Sequence, residues 1–282
     1  MVGGRAARTS IRWGVSTIPT YPPIVAVAVG NTRTRVGFAS GKDIHDAQSV
    51  ENSDATIVAA TVARLSRGGE SGPASAVVVA SVNPTFSEPL IDAIRDAGGP
   101  EVARIGAEIP VLVPMALDDD STVGQDRLLC ALAAFRRAQQ AVVVIDAGTA
   151  ITVNFVDGEG TFQGGVIAPG LSTMLASLTE KAAALPRLAP QKFDPARGHF
   201  GKDTAHAMQL GVRNAALGLV RHTIELFAEA YQAYPQIVAT GGDAILLFDG
   251  DEVVEHIVPD LQLLGIVEAW KDANADQLDG DD

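Results

Sequence analysis

Apolar residues along this chain alternate between short unbroken runs and longer stretches with helical spacing. The unbroken runs are rich in β-branched residues and predict buried strands, at residues 24–29, 75–82, 142–145 and 237–240. The helical spacing predicts helices, at residues 54–67, 88–97, 125–139, 171–185, 204–231 and 261–271. Because strands and helices alternate along the chain, the pattern indicates an α/β fold.

Two segments of the chain resemble each other, which indicates an internal duplication. When residues 24–39 are aligned with residues 142–157, apolar run meets apolar run and Gly30 meets Gly148. Each segment contains a strand, a turn rich in Gly, Thr or Asn, and a second strand, so we predict a repeated β-hairpin. Such turns present backbone N–H groups with little side-chain bulk, which suits the phosphates of a nucleotide.

The alignment also pairs individual polar residues. Thr34 meets Thr152, but Ala28 meets Asp146, so the first copy lacks the carboxylate that the second copy carries. A carboxylate at the end of a buried strand, beside a tight turn, can hold a cation or position a phosphate. Alternatively, Asp146 only caps the turn through its own backbone.

The repeat divides the chain near residue 140, where no low-complexity linker occurs. We expect a first domain at residues 23–140 and a second at residues 141–271, packed closely around a cleft. Residues 1–22 hold three arginines and no acid, and predict a flexible N-terminal extension or a start codon placed too far upstream. Residues 272–282 predict a solvated acidic tail.

Net charge, hydropathy and cysteine content exclude several classes of function. The net charge of −13 over 282 residues argues against a general affinity for nucleic acid or anionic membrane. No apolar run approaches the roughly 18 residues of a membrane span. The lone Cys130 excludes an intramolecular disulfide and fits a reducing compartment, so we expect a cytoplasmic protein in which this thiol is a core residue.

Asp126 and Arg127 open the helix predicted at residues 125–139. Asp126 is placed to accept a proton from a substrate hydroxyl, while Arg127 binds a carboxylate through its planar fork. The alternative is that Asp126 only compensates the helix dipole. Thr204 offers either a hydroxyl at a helix start or an ordinary N-cap.

Other candidate motifs are less specific. Residues 240–243, TGGD, end a buried strand at two glycines, which either let backbone approach a ligand or simply terminate the strand. The five histidines show no metal spacing. Neither a GxxxxGK[ST] loop nor a GxGxxG fingerprint after the first strand is present in the sequence.

Taken together, the motifs resemble those of type III pantothenate kinases, in the superfamily of acetate and sugar kinases, Hsp70 and actin. The resemblance rests on GNT (30–32), VGQDR (123–127), DAGTAIT (146–152), GGVIAPG (164–170) and TGGD (240–243). It implies two duplicated ribonuclease H-like domains with a nucleotide cleft between them. It also implies ATP-dependent phosphorylation of the primary hydroxyl of pantothenate to 4′-phosphopantothenate, the first step of coenzyme A synthesis.

The resemblance implies a role for each matching residue. Asp126 would be the general base, and Asp146 would hold a monovalent cation, potassium or ammonium, alongside Mg²⁺ and ATP. The pantothenate pocket would include Gly124, Gln125, Asp126 and Arg127. The nucleotide site would include Gly30, Asn31, Thr32, Arg33 and Thr149. The family acts as a homodimer, in which Thr204 would reach the substrate across the interface.

Ala28 departs from the family pattern, which usually reads D-x-G-N-T at this point. That Asp helps to organise magnesium, so alanine predicts weak magnesium retention. Residues 117–121 also differ, because the usual aromatic and Asn-Pro are replaced by LDDDS; these acids either restore metal binding or form a solvated loop. Two alternatives follow, a retired kinase that senses ATP or pantothenate, and a kinase for another small hydroxy-acid.

Overall fold

The computed structural model describes residues 21–68 and 72–275. The predicted N-terminal extension, residues 1–22, and the predicted acidic tail, residues 272–282, lie outside the described residues except at their inner ends. None of the helices in the described ranges is long and apolar enough to cross a membrane.

The first half of the chain forms one sheet and three helices. In chain order the elements are β1 (Ile24–Val29), β2 (Arg33–Ser40), β3 (Asp43–Glu51), α1 (Ala55–Ser66), β4 (Ala76–Ser81), α2 (Pro84–Asp96), β5 (Glu101–Arg104) and α3 (Gln125–Ala138). The second half consists of β6 (Val142–Ala147), β7 (Ala150–Val156), β8 (Phe162–Pro169), α4 (Leu171–Lys181), α5 (Thr204–Tyr231), β9 (Gln236–Thr240), α6 (Ala244–Phe248), β10 (His256–Ile257) and α7 (Leu261–Ala273).

The two sheets share one topology. The first sheet has the order β3-β2-β1-β4-β5, and the second, read from the matching edge, has the order β8-β7-β6-β9-β10. In both, the first three strands are antiparallel, and the fourth and fifth run parallel to the first. The prediction of two duplicated ribonuclease H-like units is therefore confirmed.

The first strands of the two hairpins correspond as the alignment predicts. Ala28 and Asp146 are each the second-last residue of their strand. The turns that follow differ in length, because residues 30–32 connect β1 to β2 whereas only residues 148–149 connect β6 to β7. The second strands are therefore shifted by one residue relative to the sequence alignment.

This shift shows that the predicted match of Thr34 with Thr152 is wrong. Thr34 lies opposite Val29, whereas Thr152 lies opposite Asp146. Because directly opposite residues point to the same side of an antiparallel pair, the two threonines lie on different faces of their sheets. Arg35, opposite Ala28, takes the place that corresponds to Thr152.

Two helix ends differ from the predicted bounds by more than two residues, each for a local reason. Helix α2 begins at Pro84, earlier than predicted, because the side chain of Asn83 caps its first turn and proline fits the first helical position. Helix α4 ends at Lys181, earlier than predicted, because Ala182 is extended, with φ −131 and ψ 96. The short elements β5, β10 and α6 and the polar edge strand β3 were not predicted.

Helices α3 and α7 pack side by side between the two sheets. Both belong to one apolar cluster that includes residues of β1 and β4 from the first sheet and of β6 and β9 from the second. The helices run parallel, because Gly265 packs on Leu129, and Asp272 near the end of α7 pairs with Arg136 near the end of α3 at 2.9 Å. Asp272 therefore belongs to α7.

We expect Gly265→Ala to lower the free energy of unfolding by about 1–3 kcal/mol, since overpacking a tight contact forces backbone to move. An added Cβ at this position would lie 2.6 Å from the carbonyl carbon of Leu129. Chemical denaturation measures the change. Gly211→Ala on α5 is the matched control, because its Cβ would meet no atom within 4 Å and alanine favours helix by up to about 1 kcal/mol. Equal stability of the two variants would contradict this packing.

Candidate active site

Two pairs of neighbouring side chains show that one end of each sheet lies near the starts of helices α3 and α7. Asp146, at the end of β6, lies close enough to Asp126, in the first turn of α3, for their charges to interact. Arg35, opposite Ala28 at the end of β1, donates from Nε to Asp260 Oδ1 at 2.6 Å, and Asp260 immediately precedes α7. The carboxyl ends of β1 and β6 and the N-termini of α3 and α7 therefore meet at one end of the boundary between the halves.

Asp146 is the most electrostatically perturbed acid of this region. Burial, and secondarily the charge of Asp126, raise the pKa of Asp146 to about 6. A bound cation would offset the repulsion between the two carboxylates, and carboxylate oxygen is a ligand that hard cations prefer. The residues around Asp146 therefore fit a cation.

Cys130 lies one helical turn after Asp126 and is 1% exposed, which confirms the prediction of a core residue. Burial, together with the charges of Asp146 and Asp126, raises the pKa of its thiol well above the usual value. The thiol therefore stays protonated and does not act as a nucleophile.

The start of α3 is shaped by glycine. Gly124 is the N-cap residue, and a Cβ there would collide with the carboxylate of Asp126, whose Oδ1 accepts a hydrogen bond from Arg127 N at 2.9 Å. Gly106, with φ +82, lies under the amide of Gln125, so a side chain at that position would displace it. The VGQDR motif therefore requires close approach of backbone at two places.

Arg127 is held by the second sheet. Its Nε donates to Asn154 Oδ1 at 2.8 Å, and its guanidinium lies 5.3 Å from the centre of the Phe162 ring. Burial lowers the pKa of Arg127, an effect that the charge of Asp126 opposes; the guanidinium remains protonated. Within the described residues its two Nη groups have no hydrogen-bond partner, so they can bind a planar anion such as a carboxylate.

Sequence reasoning missed Asn154 and Phe162 as site residues. Asn154 is 1% exposed and stands in the otherwise apolar strand AITVNFV. A buried amide needs hydrogen-bond partners, so its position in that strand was the available signal. The partners themselves come from distant parts of the chain and could not be read from spacing.

Two asparagines that were not predicted from the sequence hold the turn at residues 30–32 in place. Asn52 donates from Nδ2 to Gly30 O at 2.8 Å and from its backbone to Thr32 O at 3.0 Å. Asn83 donates to Asn31 O at 3.3 Å. The carbonyl groups are thus occupied, and the turn presents its outer edge to the solvent.

Arg33 closes this turn but directs its side chain elsewhere. Its carbonyl oxygen accepts from Gly30 N at 3.0 Å, while its guanidinium bonds Ser49 Oγ at 2.9 Å and Glu51 Oε1 at 3.0 Å on β3. The structure therefore places the guanidinium of Arg33 along β3.

The turn at residues 148–149 is fixed by the start of α4. Gly170 N and Thr173 Oγ1 both donate to Thr149 O, at 2.9 and 2.7 Å. A Cβ at Gly170 would collide with Gly148 O. The GGVIAPG motif thus supports the DAGTAIT turn, and the side chain of Thr149 remains exposed.

The TGGD segment packs directly on Asp146. Gly241 has φ +95, and a side chain there would collide with Ala147 O and Asp146 Oδ1. The backbone of Asp243 donates to Ala147 O at 2.9 Å, and burial raises the pKa of its carboxyl group. The glycine at position 241 therefore lets backbone pack against Asp146, and approach of this backbone to a ligand stays a prediction.

Thr204 is exposed at the first position of α5, and the N-cap is Asp203, whose Oδ1 accepts from His206 N at 2.8 Å. Thr204 is therefore not the cap. In the described ranges, no hydrogen bond or ion pair joins Thr204 to Asp126 or Asp146, and its role in the substrate pocket stays a prediction.

Position 28 does not fit a metal ion. Ala28 is 3% exposed and offers only a methyl group, and the nearest charged side chain across the hairpin, Arg35, is paired with Asp260. No group of three or more His, Cys, Asp or Glu residues that could hold a metal occurs in the part of the chain described here. In kinases Mg²⁺ is commonly held by one or two carboxylates together with substrate phosphates and water, which Asp146 and Asp126 could satisfy.

Comparisons with known proteins agree with this arrangement. Residues 24–226 match the family described as type III pantothenate kinase. A type III pantothenate kinase of Maricaulis maris is 32% identical over 255 residues, 88% of this chain and 97% of the relative. A second, from Desulfatibacillum aliphaticivorans, is 31% identical over 250 residues, 86% and 96% of the two chains.

Among solved structures, one described as a conserved putative Baf family transcriptional activator from Campylobacter jejuni matches with a TM-score of 0.51. It is 16% identical and covers 90% of this chain and 98% of its own, so it supports the fold alone. The chain therefore belongs to the type III pantothenate kinase family.

Proposed function

We propose that this protein transfers the γ-phosphate of ATP to the primary hydroxyl of pantothenate, giving 4′-phosphopantothenate and ADP. The observation that carries the proposal is the arrangement of Asp126 and Arg127 at the start of α3. One provides a proton acceptor and the other a carboxylate receptor, on adjacent residues near Asp146.

In the reaction, Asp126 takes the proton of the pantothenate hydroxyl as that oxygen attacks the γ-phosphorus, and ADP leaves. Gly124 keeps the space above the helix start open for this carboxylate, and Gln125 borders the pocket from the side of the first domain. The Nη groups of Arg127 bind the carboxylate of pantothenate and fix the orientation of the molecule. Phosphoryl transfer depends mainly on such positioning and on charge stabilisation.

The nucleotide lies between the two hairpin turns in this proposal. Gly30, Asn31 and Thr32 line the phosphates from the first domain, and Thr149 contacts ATP from the second. Arg33 contributes by closing the first turn through its carbonyl group. The exposed outer edges of both turns support this placement.

Asp146 holds a monovalent cation, potassium or ammonium, in the proposed site, and Mg²⁺ accompanies ATP. When bound, these ions neutralise phosphate charge in a cleft whose own acids repel each other. Because Ala28 supplies no oxygen, we propose that magnesium is retained weakly.

The proposed assembly is a cytoplasmic homodimer. Thr204 is exposed at the first position of α5, which is consistent with a role in the site of a second copy. The buried thiol of Cys130 is compatible with a reducing compartment.

We expect Arg127→Gln to raise the KM for pantothenate about 10–100-fold, since a hydrogen-bonded charge pair contributes about 1.5–3 kcal/mol. The KM for ATP should stay within about threefold. Pantothenol, which has an alcohol in place of the carboxylate, should be a poor substrate for both proteins and insensitive to the substitution. If pantothenol lost as much as pantothenate, Arg127 would not be the carboxylate receptor.

The proposed function is tested by incubating the protein with ATP, pantothenate, Mg²⁺ and K⁺, while following ADP by a coupled assay and products by mass spectrometry. We expect one 4′-phosphopantothenate for each ADP. Binding of ATP and pantothenate without product would favour the ligand sensor. Turnover of another member of a panel of small hydroxy-acids, without turnover of pantothenate, would favour the third alternative.

A further inference from the structure

Asn154 is a buried polar residue that is hydrogen-bonded to Arg127, the proposed receptor of the substrate carboxylate. The reaction described above gives Asn154 no role. It lies in the middle of β7, on the sheet face that packs toward α3, and is 1% exposed. Its neighbour across the sheet on β6 is Val144, which belongs to the apolar cluster around α3 and α7. An amide in such surroundings is costly unless its polar atoms are bonded.

Both polar atoms of the Asn154 side-chain amide are hydrogen-bonded, so Arg127, Asn154 and Thr152 form a continuous hydrogen-bond network. Oδ1 accepts from Arg127 Nε at 2.8 Å, and Nδ2 donates to Thr152 Oγ1 at 3.0 Å. These two bonds also determine which way the amide faces, because the guanidinium can only donate. Thr152 in turn lies directly opposite Asp146 in the β6–β7 ladder.

The geometry fixes Arg127 by its Nε, and neither Nη group has a hydrogen-bond partner among residues 21–68 and 72–275. The guanidinium is oriented by the amide of Asn154, by the face of the Phe162 ring, whose centre is 5.3 Å away, and by its attachment to α3. A neutral amide orients the guanidinium without cancelling its charge, as an opposing carboxylate would. The fork is therefore held in place with its full charge available to an anion.

The neighbouring strand, β8, leaves space for the Asn154 amide. Gly165 on β8 lies directly opposite Asn154, and a Cβ there would be 2.9 Å from Asn154 Oδ1 and 2.8 Å from Asn154 Cα. A side chain at position 165 would therefore crowd the oxygen that receives Arg127. This gives a structural reason for the second glycine of the GGVIAPG motif.

We propose that Asn154 is a positioning residue for substrate recognition, which holds Arg127 in the orientation that binds the carboxylate of the acceptor substrate. Thr152 belongs to the same hydrogen-bond network and fixes the orientation of the Asn154 amide. The inference rests on the proposed function, because it assumes that Arg127 receives the substrate carboxylate. It predicts an effect on acceptor binding and little effect on ATP binding or on proton transfer by Asp126.

The test compares Asn154→Leu, Asn154→Ala and Thr152→Val with the unmodified protein in full steady-state kinetics. We expect both Asn154 variants to raise the KM for pantothenate about tenfold or more, with kcat and the KM for ATP changed less than about threefold. Thr152→Val, which leaves the bond to Arg127 in place, should raise the KM for pantothenate by a smaller factor. Pantothenol should respond to none of the three substitutions.

A binding measurement separates positioning from loss of structure. Isothermal titration of pantothenate and of a non-hydrolysable ATP analogue should show weaker pantothenate binding and unchanged nucleotide binding in Asn154→Ala. If both affinities fell together, or if pantothenol kinetics changed as much as pantothenate kinetics, Asn154 would have a merely structural role. Unchanged pantothenate affinity in both Asn154 variants would also overturn the proposal.

Failure of the inference and failure of the proposed function give different results. If Arg127→Gln weakens pantothenate binding but the Asn154 variants do not, only the positioning role is wrong. If the unmodified protein neither binds nor phosphorylates pantothenate, the proposed function is wrong, and the inference falls with it.

Discussion

Asp126→Asn should reduce the turnover of pantothenate by about 10²–10⁴-fold, the range that a positioned general base contributes. Asparagine keeps the shape of the side chain at the start of α3, where Gly124 leaves space for it. It cannot accept the hydroxyl proton, so the loss should appear in kcat, with the KM for ATP and for pantothenate changed little. Steady-state kinetics with product identification measure the effect.

The same variant carries a second readout that does not depend on activity. Because the charge of Asp126 contributes to the raised pKa of Asp146, the substitution should lower that pKa toward its ordinary value, while the larger contribution from burial remains. Carbon-13 NMR titration of the aspartate carboxyl groups detects the change. An unaltered titration of Asp146 would show that the two acids do not share the cleft.

Asp146→Asn should make the protein more stable and less active. Burial holds the pKa of this carboxyl group at about 6, above the ordinary value of 3.8. The folded state therefore binds more protons than the unfolded state between these pH values, so stability falls as pH rises through this window and stays lower above it. Asparagine removes this cost, which is about 1–3 kcal/mol after allowance for partial solvent screening.

The expected gain is a melting temperature several degrees higher at pH 8, with little change at pH 4, in a buffer free of potassium and ammonium. Turnover should fall about 10²–10³-fold, since one preorganised charge-stabilising group is lost. Asp92→Asn on the exposed face of α2 is the control and should leave both quantities unchanged, because exposed ion pairs contribute little. A less stable Asp146→Asn protein at pH 8 would contradict the description of this carboxylate as partly buried and repelled by Asp126.

Much of the fold was predictable because the buried elements have strong periodic signals. The runs at β1, β4, β6 and β9 and the long helix α5 are apolar in the patterns that burial on one or both faces imposes. Strand β3 was not predicted, since its sequence DIHDAQSVE belongs to an exposed sheet edge. The two-residue strand β10 and the five-residue helix α6 are too short to show a period.

The one-residue error in the hairpin alignment has a different cause. The sequences of the two turns align without a gap, but turn length is decided by backbone hydrogen bonds, such as Gly30 N to Arg33 O and Gly148 N to Ala150 O. Alignment on apolar runs fixes the first strand of each hairpin. It leaves the second strand free to shift by one residue, which changes the face of every side chain.

Candidate site residues could be predicted where motifs are contiguous. Asp126 and Asp146 were singled out from their own segments, and in the structure they lie close enough for their charges to interact; their roles stay predictions. Contacts between distant segments were beyond such reasoning. The bond from Arg127 to Asn154 and the pair of Arg35 with Asp260 join residues 27 and 225 positions apart.

The central claim is that the two halves close over ATP with the acceptor hydroxyl at Asp126. A crystal structure of the protein with pantothenate and a non-hydrolysable ATP analogue tests it most directly. We expect the pantothenate hydroxyl about 2.6–3.2 Å from an Asp126 carboxylate oxygen, its carboxylate on the Nη groups of Arg127, and the triphosphate between residues 30–32 and 148–149. Pantothenate bound with its carboxylate away from Arg127, or a nucleotide outside the two turns, would contradict the account.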